Sequence, residues 1–325
     1  MAKTILITGG LGFLGTNLSL RLMGEGHRVI ALDNFYTGTR ANLNTLQEQA
    51  NFTFIEHDVI RPFPDMGKVD EVYHLACPAS PPQYQKDPIY TFKISIDGAL
   101  NVLDFATEHG AKVLLASTSE VYGDPDVHPQ PESYRGAVNT LGIRACYDEG
   151  KRGAETLFMD YWRTKQTRVK IIRIFNTYGP YMDPRDGRVV SNLICQALRG
   201  DAMTIYGEGL QTRSFCYVDD LLAGMVALMN SADDVLGPVN VGNPTEFTML
   251  ELAQMIQAKL GEAQIAHFPM PQDDPKQRRP DITLAKNLLN WEPKIALEQG
   301  LEKTIPWFRH CIESEAVPQK DAVNG

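Results

Sequence analysis

The sequence predicts an α/β chain built on a doubly wound parallel sheet, followed by a smaller C-terminal α/β region. Three observations carry that expectation. Short apolar runs alternate with helical patterns through the first half, the rhythm that βαβ units produce. A glycine-rich turn, Gly9-Gly-Leu-Gly-Phe-Leu-Gly15, follows the first run and opens a helical pattern. An aspartate, Asp33, closes the second run. Together these are the dinucleotide-binding fingerprint of a Rossmann sheet.

The strands are expected at Thr4–Thr8, Arg28–Asp33, Phe52–His57, Glu71–Ala76, Lys112–Ser117 and Val169–Phe175, each a short run of apolar or β-branched residues. Helical periodicity at 12–25, 89–109 and 147–165 separates several of them. Ala76, Ser117 and Asn176 then lie at carboxyl ends of strands, where such sheets bind ligands. Glycines 9, 12 and 15 allow a tight turn, close backbone approach to a pyrophosphate and tight helix–strand packing. The helix N-terminus behind them offers N–H groups and positive dipole to phosphate. Asp33 can bind the adenosine ribose hydroxyls and would repel a 2′-phosphate, which favours NAD over NADP. Beyond residue 177 the pattern turns irregular, with loops rich in Gly, Pro, Asp and Arg. The polar tail 314–325 is expected to fray.

Composition narrows the function. A net charge of −9 argues against nucleic acid or an anionic membrane as a general partner. No apolar run approaches the roughly 18 residues of a membrane span, and the first core strand begins within four residues of Met1, leaving no room for a signal peptide. A soluble, cytoplasmic protein is expected. Five scattered cysteines without a Cys-x-x-Cys pattern indicate neither a disulfide framework nor a zinc site, and no metal is expected. Cys146 adjoins Tyr147 without a partnered His nearby in sequence, so it reads as a small buried side chain rather than a nucleophile.

Tyr147 and Lys151 lie four residues apart at the start of a helical pattern and so share one helix face. A phenol near an ammonium can take a proton from an alcohol, because the positive charge favours the phenolate. Downstream of a dinucleotide fingerprint, the pair points to hydride-transfer chemistry. Other groups stay open on sequence alone. Glu120 follows a strand end, yet an isolated loop carboxylate there can be merely solvated. Arg278 lies in a polar run that by itself reads sooner as a solvated charge cluster than as a site. Tyr206 reads equally as a base-stacking wall or as core packing. Asp219-Asp220, before an apolar helical stretch, reads as an N-cap with first-turn dipole complement.

With Ser117-Thr-Ser-Glu-Val-Tyr-Gly123, these motifs resemble the extended short-chain dehydrogenase/reductases that act on nucleotide sugars. His74-Leu-Ala-Cys-Pro-Ala-Ser-Pro-Pro82, Leu141-Gly-Ile-Arg-Ala-Cys-Tyr-Asp-Glu-Gly-Lys-Arg152, Asp186-Gly-Arg-Val-Val-Ser-Asn192 and Gln277-Arg-Arg-Pro-Asp-Ile282 narrow the resemblance to the UDP-glucuronate decarboxylases, or UDP-xylose synthases. It runs from the first strand to about residue 310. The sequence departs from that family's pattern at Cys77, Ser95, Ile143 and Tyr181.

The resemblance implies a cofactor, NAD, held by Gly9, Gly12, Phe13, Leu14, Gly15, Asp33, Asn34, Thr37, Gly38, Asp58, Val59, Leu75, Ala76, Tyr147 and Lys151. It implies a UDP-sugar at Pro78, Tyr84, Asn176, Arg188, Val189, Tyr206, Gln211, Arg213 and Arg278. The dinucleotide part would be residues 1–176, rejoined by parts of 216–243, with 177–325 mainly serving the sugar nucleotide. Direct loss of CO₂ from glucuronate would leave an unstabilised carbanion, whereas a C4 ketone makes the sugar a β-keto acid that decarboxylates to an enolate. Tyr147 would be the base at O4, Lys151 its activator and Thr118 a hydrogen-bond partner of O4. Ser119, Glu120 and Arg278 would serve C5 and the carboxylate. A 4-epimerase or 4,6-dehydratase is the neighbouring alternative, although Ser119 stands where a dehydratase carries Asp. A non-enzymatic NAD sensor would be expected to have lost the Tyr, Lys and Thr set, which is intact. Relatives pair as homodimers through the 89–109 and 147–165 helices.

Overall fold

A computed structural model describes residues 1–261, 263–270 and 277–316. The chain opens with β1 (Thr4–Thr8), α1 (Phe13–Gly24), β2 (Arg28–Asp33), α2 (Arg40–Gln47), β3 (Phe52–Glu56) and β4 (Glu71–His74). It continues through α3 (Pro81–Tyr84), α4 (Pro88–His109), β5 (Lys112–Thr118), α5 (Ala145–Lys165) and β6 (Val169–Ile174). Then come β7 (Thr177–Tyr178), α6 (Val189–Arg199), β8 (Met203–Tyr206), β9 (Thr212–Ser214), β10 (Cys216–Tyr217), α7 (Val218–Asn230) and β11 (Val239–Val241). The last elements are β12 (Glu246–Thr248), α8 (Met249–Leu260), β13 (Ile265–Phe268), β14 (Gln277–Arg278), α9 (Thr283–Leu289) and α10 (Leu297–Ala316).

Seven strands form one parallel sheet in the order β11-β6-β5-β4-β1-β2-β3. Alternation along each strand divides the core between its two faces. Leu6, Val113, Leu115 and Ile171 pack on one side with Val102 and Leu103 of α4 and Phe158 of α5. Ile5, Ile7, Leu114 and Ile172 pack on the other with Leu18 and Leu22 of α1 and Leu221 and Met225 of α7. Burial on both faces explains why these strands read as continuous apolar runs. Helix α4 starts where Asp87 accepts a hydrogen bond from the Tyr90 N–H at 2.9 Å, and it stops at Gly110, whose φ is 61°.

The strand order reverses beside β1, between outgoing β2 and returning β4. That switch point opens a crevice at the carboxyl ends of the strands. Short ladders beyond β6 close the crevice from above. Antiparallel β12 and parallel β14 flank β9, and parallel β13 flanks β8.

The predicted strands and the three long helices are present within a few residues of their expected ends. Helices α2 and α3 and the short strands after β6 were not anticipated. Asp220 corrects the N-cap reading. The N-cap of α7 is Tyr217, without a side-chain cap. The Asp220 carboxylate instead accepts hydrogen bonds from the N–H groups of Lys294 at 2.9 Å and Ile295 at 2.8 Å, tying the approach to α10 onto α7. No described helix is long and apolar enough to cross a membrane.

Candidate active site

The glycine loop lies against β4, and this requires glycine. Gly9 has φ +69°, and a Cβ there would sit 2.9 Å from the Ala76 backbone. A Cβ on Gly15 would collide with the Gly9 carbonyl oxygen. Behind the loop, Asp33 is buried, and its two carboxylate oxygens accept hydrogen bonds from the N–H of Phe35 at 2.8 Å and of Leu11 at 3.0 Å. Burial raises its pKa against the pull of those N–H groups. A Cβ on Gly38 would come 2.6 Å from Asp33 Oδ1, so only a glycine lets that segment close over the carboxylate.

A cavity of about 730 Å³ opens from this loop. Gly9, Gly12, Phe13, Leu14, Gly15, Asp33, Asn34, Thr37, Gly38, Asp58, Val59, Leu75, Ala76, Tyr147 and Lys151 line it, and Thr118, Ser119, Glu120 and Pro78 form its inner end. Backbone N–H groups, close-packed glycines and one buried carboxylate suit a dinucleotide with two phosphates and a ribose. The residues present therefore fit NAD.

A second cavity of about 470 Å³ is lined by Tyr84, Val189, Tyr206, Gln211, Arg213 and Arg278. It shares Glu120, Asn176 and Arg188 with the first. Tyr206 is 44% exposed, which excludes the core-packing alternative and places its ring at the cavity rim. Gln211 donates to the Tyr206 carbonyl at 3.0 Å. Arg188 is held by Asp186, with contacts of 2.6 and 2.8 Å. Strands β9 and β14 pair so that Arg213 and Arg278 are direct neighbours. Both are buried, although like charges side by side on a ladder are unfavourable. The arrangement suits an anion.

Where the cavities meet, α5 presents Tyr147. Its phenol is 5% exposed and stacks on Tyr84, with ring centroids 5.1 Å apart and planes 4° apart. Lys151 Nζ lies 5.9 Å from the Tyr147 ring centroid and donates to the Ala116 carbonyl of β5 at 2.9 Å. The expected lowering of the phenol pKa by this lysine is not found. Burial pushes the Tyr147 pKa well up, opposed by a hydrogen bond with Thr118 and by the charge of Arg188. Desolvation of the phenolate is the largest influence on it, and the Lys151 ammonium, tethered to Ala116, does not offset that cost.

Glu120 sits in a short 3₁₀ turn, Ser119–Tyr122. Its carboxylate is 2.5 Å from Arg144 and 3.1 Å from Arg278. Burial alone would raise its pKa, but Arg278, Arg144 and Arg213 hold it down to about 2. Arg278 also donates to Ser119 Oγ at 3.1 Å and to the Gly123 carbonyl at 2.9 Å. Ser119, Glu120 and Arg278 thus form one hydrogen-bonded group, as a solvated charge cluster would not. The beginning of the polar run, 272–276, lies outside the described residues.

Sequence reading assigned no role to four contributors. Arg144, the N-cap of α5, gives no local signal beyond its charge. Tyr90 bridges two cavity residues, donating to Asp58 at 2.6 Å and accepting from Asn34 at 2.7 Å. His74 was quoted only within a motif. It lies 2.8 Å from the Thr8 hydroxyl, and burial and then Lys151 push its pKa down to about 3. Asp148 is buried with Oδ1 unpartnered, and burial and then Glu120 raise its pKa to about 7. The cysteines are not joined in disulfides, and the described residues contain no cluster of three or more groups arranged to hold a metal.

Comparison with known proteins matches the model of the NAD dependent epimerase/dehydratase family over residues 5–242. UDP-glucuronic acid decarboxylase 1 of Danio rerio is 53% identical over 97% of this chain and 74% of its own length. UDP-glucuronic acid decarboxylase 6 of Arabidopsis thaliana is 52% identical over 97% of this chain and 91% of its own. Among solved structures, UDP-glucuronic acid 4-epimerase from Bacillus cereus, in complex with UDP-glucuronic acid and NAD, superposes with a TM-score of 0.85. It is 28% identical, over 95% of this chain and 99% of that one.

Proposed function

The chain belongs to the NAD dependent epimerase/dehydratase family, among the UDP-glucuronic acid decarboxylases, and on that premise we propose that it converts UDP-glucuronate to UDP-xylose and CO₂. One observation carries the reading beyond the family. At the sugar end of the cleft, Tyr147 adjoins an ionised Glu120 clasped by two arginines, with a third arginine on the neighbouring strand. That excess of positive charge suits a sugar bearing its own carboxylate.

The chemistry that bound NAD would supply is reversible hydride acceptance from the sugar's C4. The chain's own groups do the rest. Tyr147 takes the O4 proton, with Thr118 orienting that hydroxyl. To accept that proton Tyr147 must already be the phenolate, a form that burial disfavours and the positive charge of Arg188 favours. Lys151, fixed by Ala116, orients the ribose and adds positive charge. Arg278, with Ser119, receives the C5 carboxylate as a guanidinium fork and stabilises the enolate left when CO₂ departs, and C5 then takes a proton from a water molecule oriented by the ionised Glu120. Arg188, Arg213 and Asn176 hold the diphosphate, and Tyr206 with Gln211 borders the base, along with Pro78, Tyr84 and Val189. Residues 1–176, with parts of 216–243, hold NAD, and 177–325 mainly hold the sugar nucleotide. Asp33 selects NAD over NADP.

The working form is a cytoplasmic homodimer. Support comes from Ile89 and Phe92 of α4, 76% and 42% exposed, with Phe92 at the seam with α5.

The test offers purified protein UDP-glucuronate, UDP-glucose and dTDP-glucose and follows products by mass spectrometry. A product lighter by CO₂ from UDP-glucuronate alone is expected. A C4 epimer of equal mass, or loss of water from a glucose nucleotide, would replace this reading with the epimerase or dehydratase one.

A further inference from the structure

Glu120 has one carboxylate and two guanidinium partners, and those partners are not equivalent. Arg278 approaches at 3.1 Å to Oε1 and 3.4 Å to Oε2. It is divided among Glu120, Ser119 and Gly123, and its buried Nε–H has no hydrogen-bond partner among the described residues. Arg144 makes the shorter contact, Nη2 to Oε2 at 2.5 Å. It lines the same cavity as Glu120 and Arg278. Its backbone carbonyl accepts from the N–H groups of Tyr147 at 3.0 Å and Asp148 at 3.1 Å. Arg144 therefore joins the turn carrying Glu120 to the first turn of the helix carrying Tyr147.

A substrate carboxylate entering beside Arg278 creates a conflict. Two anions then share one guanidinium, and like charges in one site raise a carboxyl pKa or drive the groups apart. The unpartnered Nε–H shows that Arg278 has donor capacity to turn toward the newcomer. Glu120 keeps its position and its charge only if a second cation remains on it.

We propose that Arg144 is a positioning residue that holds Glu120 in place when Arg278 turns to the substrate carboxylate. Arg278 is then released back to Glu120 as CO₂ departs, so a single arginine serves two anions in succession. The inference rests on the decarboxylase reading.

Arg144→Met and Arg144→Lys, made in the full chain, test it beside the wild type. Single turnovers with UDP-glucuronate would be followed at the NADH absorbance band and by CO₂ release, and kcat would be measured against pH. In Arg144→Met, CO₂ release should fall about 10²-fold, as for a displaced reacting group, while cofactor reduction persists and NADH accumulates. Glu120 faces Arg144, Asp148 and Tyr147 from α5, Arg213 from β9, Arg278 from β14 and Tyr84 from α3. Removing Arg144 alone should move the acid limb of kcat upward, toward the ordinary carboxylate range. Arg144→Lys keeps the charge, so it should restore the acid limb but not the full rate. Normal CO₂ release with an unmoved acid limb overturns the proposal. So does equal loss of cofactor reduction and CO₂ release in a folded Arg144→Lys protein, which would place the arginine's effect on Tyr147. A wild-type chain that releases no CO₂ overturns the decarboxylase reading itself.

Discussion

The two walls of the cleft are built by opposite means. The wall at β1, β2 and the start of α1 presents backbone groups and glycines, with Asp33 the one buried carboxylate behind them. The wall facing it presents charge, gathered from Glu120, Arg144, Arg213 and Arg278 in four separate stretches of chain. A backbone-built wall is fixed by local conformation and tolerates no added atom. A charge-built wall is fixed by tertiary placement, and each member depends on the partners that keep it ionised. Damage to the first should cost cofactor, and damage to the second should cost chemistry with cofactor still bound.

The largest expected effect lies where the walls meet. Tyr147→Phe should keep its fold and bind NAD yet lose about 10²–10⁴-fold in turnover, the usual contribution of a general base. Steady-state CO₂ release checks this, and near-normal turnover would remove Tyr147 from the chemistry. Next come the charged residues. Arg278→Ala should weaken substrate binding by roughly 1.5–3 kcal/mol through loss of a charge-assisted contact. Both it and Glu120→Ala should bind NAD normally, and reduced cofactor should persist in single turnovers. Full CO₂ release in both variants would contradict the assignment.

A smaller change breaks the opposite wall. Gly15→Ala should weaken NAD binding by roughly 1–3 kcal/mol, the scale of overpacking, because its methyl group meets the Gly9 carbonyl. Calorimetric titration with NAD would measure it, and unchanged affinity would show that the loop can shift freely. The smallest effect concerns Asp148. Its pKa is about 7 in the folded chain against 3.8 for an ordinary aspartate, so folding favours the protonated form. Stability contributed by that proton is present below about pH 4 and is lost as pH rises toward 7. Asp148→Asn should therefore match the wild type near pH 4 and be the more stable of the two above pH 7. Parallel denaturation curves at the two pH values would overlay if Asp148 does not titrate in this way.

The same contrast explains what could be read from the sequence. The central sheet was legible because parallel strands buried on both faces write continuous apolar runs, and the glycine loop because its spacing is local. The short ladders after β6 were not, since strands of two or three residues are too brief to show a period. Tyr206 stayed ambiguous for a related reason, as a lone aromatic at a strand end carries no record of its exposure. Glu120 and Arg278 could be singled out only through resemblance, because 158 positions separate partners that meet in space. Arg144 was missed although it stands three residues before Tyr147, since its significance depends on how α5 begins. Lys151 was correctly found as a neighbour of Tyr147, but a four-residue spacing does not reveal that Ala116 claims its ammonium.

The face-to-face contact of Tyr84 with Tyr147 bears on entropy. A tyrosine in an open pocket swings about χ1, carrying its hydroxyl oxygen with it, and must be caught in one rotamer each time it reacts. Stacked at 4° to a second buried ring, Tyr147 is already confined when substrate arrives, and the cost of immobilising it falls on folding. On the role proposed for Tyr147, helix α3, which supplies Tyr84, is a clamp that shortens the conformational search before proton transfer.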